Sequence, residues 1–133
     1  MGEEALNLLW IALGAATGGV MRYVVGGWAQ QASGSASFPV GTLTVNLVGC
    51  LLIGLVAQMA ESTGLISPQL RLLLITGFLG GFTTYSSFAG ETLLLGRSGD
   101  QLLALLFVVL HLVLGLVAVW AGRTAVVLLW RAP

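Results

Sequence analysis

The sequence predicts an all-α integral membrane protein with four transmembrane helices, and three observations carry that expectation. Of its 133 residues 57% are hydrophobic and only 8% charged, whereas a soluble domain carries about a quarter charged residues. Its mean hydropathy is +1.00. Four apolar stretches, roughly 5–31, 39–60, 70–95 and 101–130, are each long enough to cross about 30 Å of hydrocarbon at helical rise. The expected unit is a single four-helix transmembrane domain over 1–133, with lipid as most of its solvent.

The first stretch follows Met-Gly-Glu-Glu, which lacks the cationic start of a signal peptide, so it is expected to be retained. It places Gly14, Gly18, Arg22 and Gly26 at four-residue spacing, hence on one face, where small residues admit a neighbouring helix. A Gly- and Ser-rich segment from Gln30 to Pro39 separates it from the second stretch. There Thr42 and Asn46 lie one turn apart at membrane depth. The Asn46 amide has two readings, a donor to an anion or a bond to another helix. Cys50 is the one cysteine, so neither a disulfide framework nor a cysteine metal site is available.

After a turn holding Gly64 and Ser67, the third stretch carries the densest chemistry, Gly77-Phe-Leu-Gly-Gly-Phe-Thr-Thr-Tyr-Ser-Ser-Phe-Ala-Gly-Glu91. Two adjacent glycines and four hydroxyls stand where a lipid-facing helix is normally most apolar. The reading is a helix that breaks near Gly80 to Thr83, its freed backbone lining a cavity. Carbonyls at such a break suit a cation and helix amino ends suit an anion. The alternative is an intact helix whose hydroxyls bond preceding carbonyls. Tyr85, Phe88 and Thr92 share a face, and the positive edges of the two rings can meet a small hard anion. Beyond Gly96 to Asp100, the fourth stretch aligns His111, Gly115, Ala118 and Gly122. His111 is read as a satisfied interhelical donor in preference to a pathway residue.

Charge excludes some classes. Net charge is zero, lysine is absent, and the five arginines form no basic stripe of the kind nucleic acid requires. Arg71 and Arg131 fall on the side shared with both termini, Arg97 on the other, and Arg123 counts for either. So small a bias predicts dual topology and an antiparallel homodimer. Arg22 and Glu91, ionisable and within spans, are functional candidates by default: Arg22 at a pore mouth, or snorkelling to the interface.

Three segments resemble the Fluc, or CrcB, family of fluoride channels, and the resemblance covers nearly the whole chain. Gly18 to Tyr23 resembles the family's Gly-x-x-x-Arg-Tyr. Gly41 to Asn46 with Gly49 resembles its Gly-Thr-Leu-x-Val-Asn-x-x-Gly. Gly80 to Glu91 resembles its Gly-Gly-x-Thr-Thr-Phe-Ser-Thr-Phe-x-x-Glu. The resemblance implies an antiparallel dual-topology homodimer in the cell inner membrane, with two pores that passively release cytoplasmic fluoride and so protect against its toxicity. It implies a structural sodium ion at the dimer centre, on carbonyls matching Gly80 and Thr83. Asn46 matches the pore asparagine, Tyr85 and Phe88 the two ring positions, Thr42 and Ser87 polar lining, and Glu91 the family glutamate.

Two positions depart from the family pattern. Tyr85 stands where phenylalanine is usual and brings a hydroxyl, and Leu102 to Gly122 lacks a Ser/Thr track. Two other functions have four short spans to offer. A small multidrug-type proton-coupled antiporter needs a buried acid in its first helix, where this chain has Arg22. A non-transporting membrane assembly subunit would use its polar groups only to bond helices. An enzyme is not expected, because no nucleophile–base pair or metal-ligand set is visible.

Overall fold

The computed structural model describes residues 2–62, 64 and 66–130. Four helical spans cross the molecule, each long and apolar enough for a membrane. Helix α1 covers Gly2–Ser33 and α2 covers Val40–Ser62. The third span divides into α3, residues 68–82, and α4, Tyr85–Arg97; α5 is Gln101–Trp130. Most of these helices outrun the apolar stretches by two or three residues, because polar end residues continue the helix past the hydrocarbon. Arg131 lies outside the described residues.

Local chemistry sets the ends. Ser67 caps α3 by accepting from the Leu70 N–H at 3.2 Å, and Pro68 takes the first helical position, where its missing N–H costs nothing. Gly34 after α1 and Gly99 between α4 and α5 have φ of 62° and 92°, left-handed turns that other residues reach only with strain.

Helix α3 is α-helical over Pro68–Arg71, π-helical over Leu72–Leu79 and α-helical again over Gly80–Phe82. Thr83 and Thr84 then take extended backbone, with ψ of 159° and 111°, before α4 begins. Gly80 and Gly81 remain helical. Their proximity to Thr83 has another cause at Gly81, where a methyl group would strike the Ala15 backbone of α1.

The main pairings are α2 with α5 and α1 with α3. Both rest on small residues. A side chain at Gly14 or Gly18 would collide with the backbone of Leu73 or Phe78, and one at Gly54 or Gly122 with that of Val119 or Leu51. Such contact replaces the hydrophobic drive that lipid removes. The interior is therefore built of glycines around Val45, Phe82 and Phe107, while Leu8, Leu102, Leu116, Trp28 and Trp120 point outward. At the end shared with the start of α3, Arg123 pairs with Glu61 at 2.5 Å. That pair assigns Arg123 to the same side as Arg71.

Candidate functional site

The centre of the site is the two-residue extended stretch Thr83–Thr84 between α3 and α4; the Thr83 N–H still bonds the Leu79 carbonyl at 3.0 Å, and the helical pattern is lost at Thr84. In a continuous helix the Thr84 N–H would donate to the Gly80 carbonyl. Here it donates instead to Asn46 Oδ1 at 2.8 Å, and Asn46 Nδ2 donates to the Thr84 carbonyl at 3.0 Å. The α2 amide thus supplies both partners that the extended Thr84 peptide unit lacks, which satisfies backbone groups that lipid could not. Thr84, the one buried polar residue among those described, also starts α4: its hydroxyl accepts from the Ser87 N–H at 3.1 Å and donates to Ser87 Oγ at 3.0 Å.

Asn46 is held on a third side. Its Nδ2 lies 3.2 Å from His111 Nε2, and His111 Nδ1 lies 2.9 Å from the Phe107 carbonyl. Directions follow from groups with only one role. The Thr84 N–H can only donate, so Oδ1 faces it and Nδ2 faces His111; the Phe107 carbonyl can only accept, so His111 carries its proton on Nδ1. His111 Nε2 therefore accepts from Asn46. The sequence reading of a satisfied interhelical donor is half right: the bond is interhelical, and His111 is its acceptor.

The candidate residues divide between two clefts that meet at Thr84. The larger, about 400 Å³, is lined by Asn46, Gly80, Thr83, Tyr85, Phe88 and His111. Its walls are otherwise apolar. The Phe88 ring packs on His111 with centroids 4.4 Å apart and lies 5.6 Å from Tyr85. Tyr85 is 80% exposed, so it forms the outer rim. The smaller cleft, about 290 Å³, gathers Arg22, Gln30, Thr42, Ser87 and Glu91. The Thr42 hydroxyl donates to Glu91 Oε1 at 2.8 Å, while the other Glu91 oxygen is buried without a partner. Arg22 Nη1 donates to the Thr83 carbonyl at 3.4 Å.

Three contributors were not singled out by sequence reasoning. Thr84 stood within the hydroxyl cluster, and its place before a helix-forming run was a cap signal. The acceptor role of His111 depends on a helix 65 residues away and has no sequence signal. Gln30 lines the smaller cleft and also staples the α1–α2 turn, accepting from the Gly41 N–H at 2.9 Å and donating to the Ser35 and Phe38 carbonyls. Thr92, grouped with the rings, turns its hydroxyl back to the Phe88 carbonyl at 2.7 Å.

Residues 9–123 match the family model described as CrcB-like protein, Camphor Resistance. The chain is 44% identical over 116 residues to the fluoride-specific ion channel FluC of Methylobacillus flagellatus, covering 87% of this chain and 91% of that one. It is 44% identical over 122 residues to FluC of Chlorobium chlorochromatii, with 92% and 93% covered. Against FluC of Chloroflexus aurantiacus it is 47% identical over 116 residues, with 87% and 91% covered.

Proposed function

The chain belongs to the CrcB-like family, and we propose from that membership that it is a fluoride-selective ion channel. It is a multi-pass membrane protein and not an enzyme. Its physiological task is passive release of fluoride from the cytoplasm across the cell inner membrane, which protects against fluoride toxicity. The observation that carries the reading is the Thr84 peptide unit held open by Asn46 between a polar cleft and a mostly apolar one.

Fluoride surrenders its hydration in steps. Arg22 supplies a positive field at the smaller cleft. Thr42, Ser87 and Thr84 offer hydroxyls, and beyond Thr84 the anion meets Asn46 and the edges of Tyr85 and Phe88. Glu91 lines the same stretch of the route, one oxygen accepting from Thr42 and the other buried without a partner. A dry, narrow lining favours fluoride over chloride because the larger anion fits it poorly.

The working unit is an antiparallel, dual-topology homodimer in lipid. Its support is the exposure of Tyr85 and of Gly80 in a single chain, which leaves the larger cleft with an open wall. A structural sodium ion fits the donors present. The Gly80 carbonyl has lost its helical donor to Asn46, and the Thr83 carbonyl sits on extended backbone, where it accepts from Arg22. Hard oxygens of this kind suit an alkali cation. Two of them fall short of a full shell, so a second copy would supply the rest. Arg22, which donates to the Thr83 carbonyl, competes with a cation for that oxygen and opposes it by charge, so the Gly80 carbonyl is the stronger of the two ligands. Such an ion would tie two copies together at their interrupted spans.

The test is efflux from potassium-loaded liposomes after valinomycin, read with a fluoride electrode against chloride. The expected result is fast fluoride release without chloride release. No release by well-folded protein, or equal release of both anions, overturns the proposal.

A further inference from the structure

Both N–H groups of Asn46 are already spent, one on the Thr84 carbonyl and one on His111 Nε2. An anion in the larger cleft therefore finds no free amide donor there unless one bond opens. The Thr84 bond closes the interruption, and the Thr84 N–H on Asn46 Oδ1 holds the amide in register with it. The His111 bond is the one that can yield. It persists only while Nε2 keeps its lone pair, since the Phe107 carbonyl fixes the ring's single proton on Nδ1. A second proton converts Nε2 from acceptor to donor and sets it against the Asn46 N–H.

We infer that His111 is a positioning residue that latches Asn46: the neutral ring holds one amide N–H away from the anion, and a proton on Nε2 releases it. The released state offers an anion two convergent donors, Asn46 Nδ2–H and His111 Nε2–H, plus a positive charge. The proton comes from water and binds at Nε2, so the step balances without another reactant. Anion binding and proton uptake are then linked, each favouring the other. The ring is aimed for this by Phe88 and Phe107, whose centroids lie 4.4 Å from it on two sides.

The other titratable groups near His111 are few. Cys50 of α2 and Tyr85 of α4 line the same cleft. Glu91 of α4 and Arg22 of α1 line the other cleft, across Thr84, and are engaged by Thr42 and the Thr83 carbonyl. On α5 the remaining ionisable group among the described residues, Arg123, is bound to Glu61.

This inference rests on the channel reading, and two measurements separate them. The first is a pH titration of the Asn46 side-chain amide by nitrogen NMR in fluoride-free detergent, for the native chain and His111→Gln. Glutamine keeps an acceptor for Asn46 and cannot titrate. The Asn46 signals are expected to move with the His111 titration in the native protein and to stay still in His111→Gln; still signals in the native protein overturn the latch. The second is fluoride efflux followed from about pH 8 down to about pH 5, a range that extends well to the acid side of a free histidine, with hydrogen fluoride leak subtracted using protein-free vesicles. A several-fold rise toward acid in the native channel and a flat profile in His111→Gln are expected. Native profiles that are flat, or a rise retained in His111→Gln, overturn the latch. Zero efflux at every pH overturns the channel reading, and the NMR titration still decides the latch.

Discussion

Replacing Asn46 by leucine would remove an acceptor from the Thr84 N–H and a donor from the Thr84 carbonyl at one stroke. Each buried polar group left without a partner costs about 1–3 kcal/mol. Asn46→Leu is therefore expected to abolish fluoride efflux and also to lower the melting temperature in detergent, which separates it from a change that only blocks a pore. Thr84 makes a smaller, local contribution. Thr84→Ala deletes the cap of α4 and should cost about 1 kcal/mol, with Thr84→Ser recovering most of it; denaturation curves of the two variants check this. At Tyr85 the hydroxyl is the only difference from phenylalanine, so Tyr85→Phe should leave folding unchanged, and altered efflux would assign the hydroxyl to the path.

Among the helices, the close pairs are decided by the absence of side chains. Gly18→Leu would drive a branched side chain into the Phe78 backbone and separate α1 from α3, whereas Val20→Leu changes a side chain that already faces outward. Loss of folded, monodisperse protein on gel filtration is expected for the first substitution and not for the second. This level was largely legible in the sequence. Four apolar runs gave the spans, and the four-residue glycine spacing gave the packing faces, because both are local periodicities. The interruption was harder to place. Glycines were the obvious suspects, yet Gly80 and Gly81 stay helical, because Thr84 is drawn out of the helix by Asn46 from a different span. Likewise the separation of Arg22, Thr42, Ser87 and Glu91 from Asn46, Tyr85 and Phe88 into two clefts depends on how four helices meet, and no single helix encodes it.

For the whole molecule, the charge balance across the membrane is the property to test. Arg71 and Arg123 lie at one end and Arg97 at the other, and Arg123 is paired with Glu61 at the surface, where such a bridge contributes about 0–1 kcal/mol. Arg131, which the sequence places at the Arg71 end, makes the arginine count there three to one, a bias of two in so small a protein. Ser98→Cys in sealed vesicles is expected to react with an impermeant thiol reagent from outside in about half the chains, as dual topology requires; labelling of nearly all or nearly none would reject it.

The Asn46–Thr84 pairing also bears on the order in which the chain is made. A ribosome delivers α2 to the bilayer before the third span, so a docking partner is waiting when the extended Thr83–Thr84 segment arrives. Were the order reversed by circular permutation, that segment would enter lipid with bare peptide groups and a natural tendency to stall or be degraded. Synthesis from the amino terminus thus presents Asn46 before the segment that needs it.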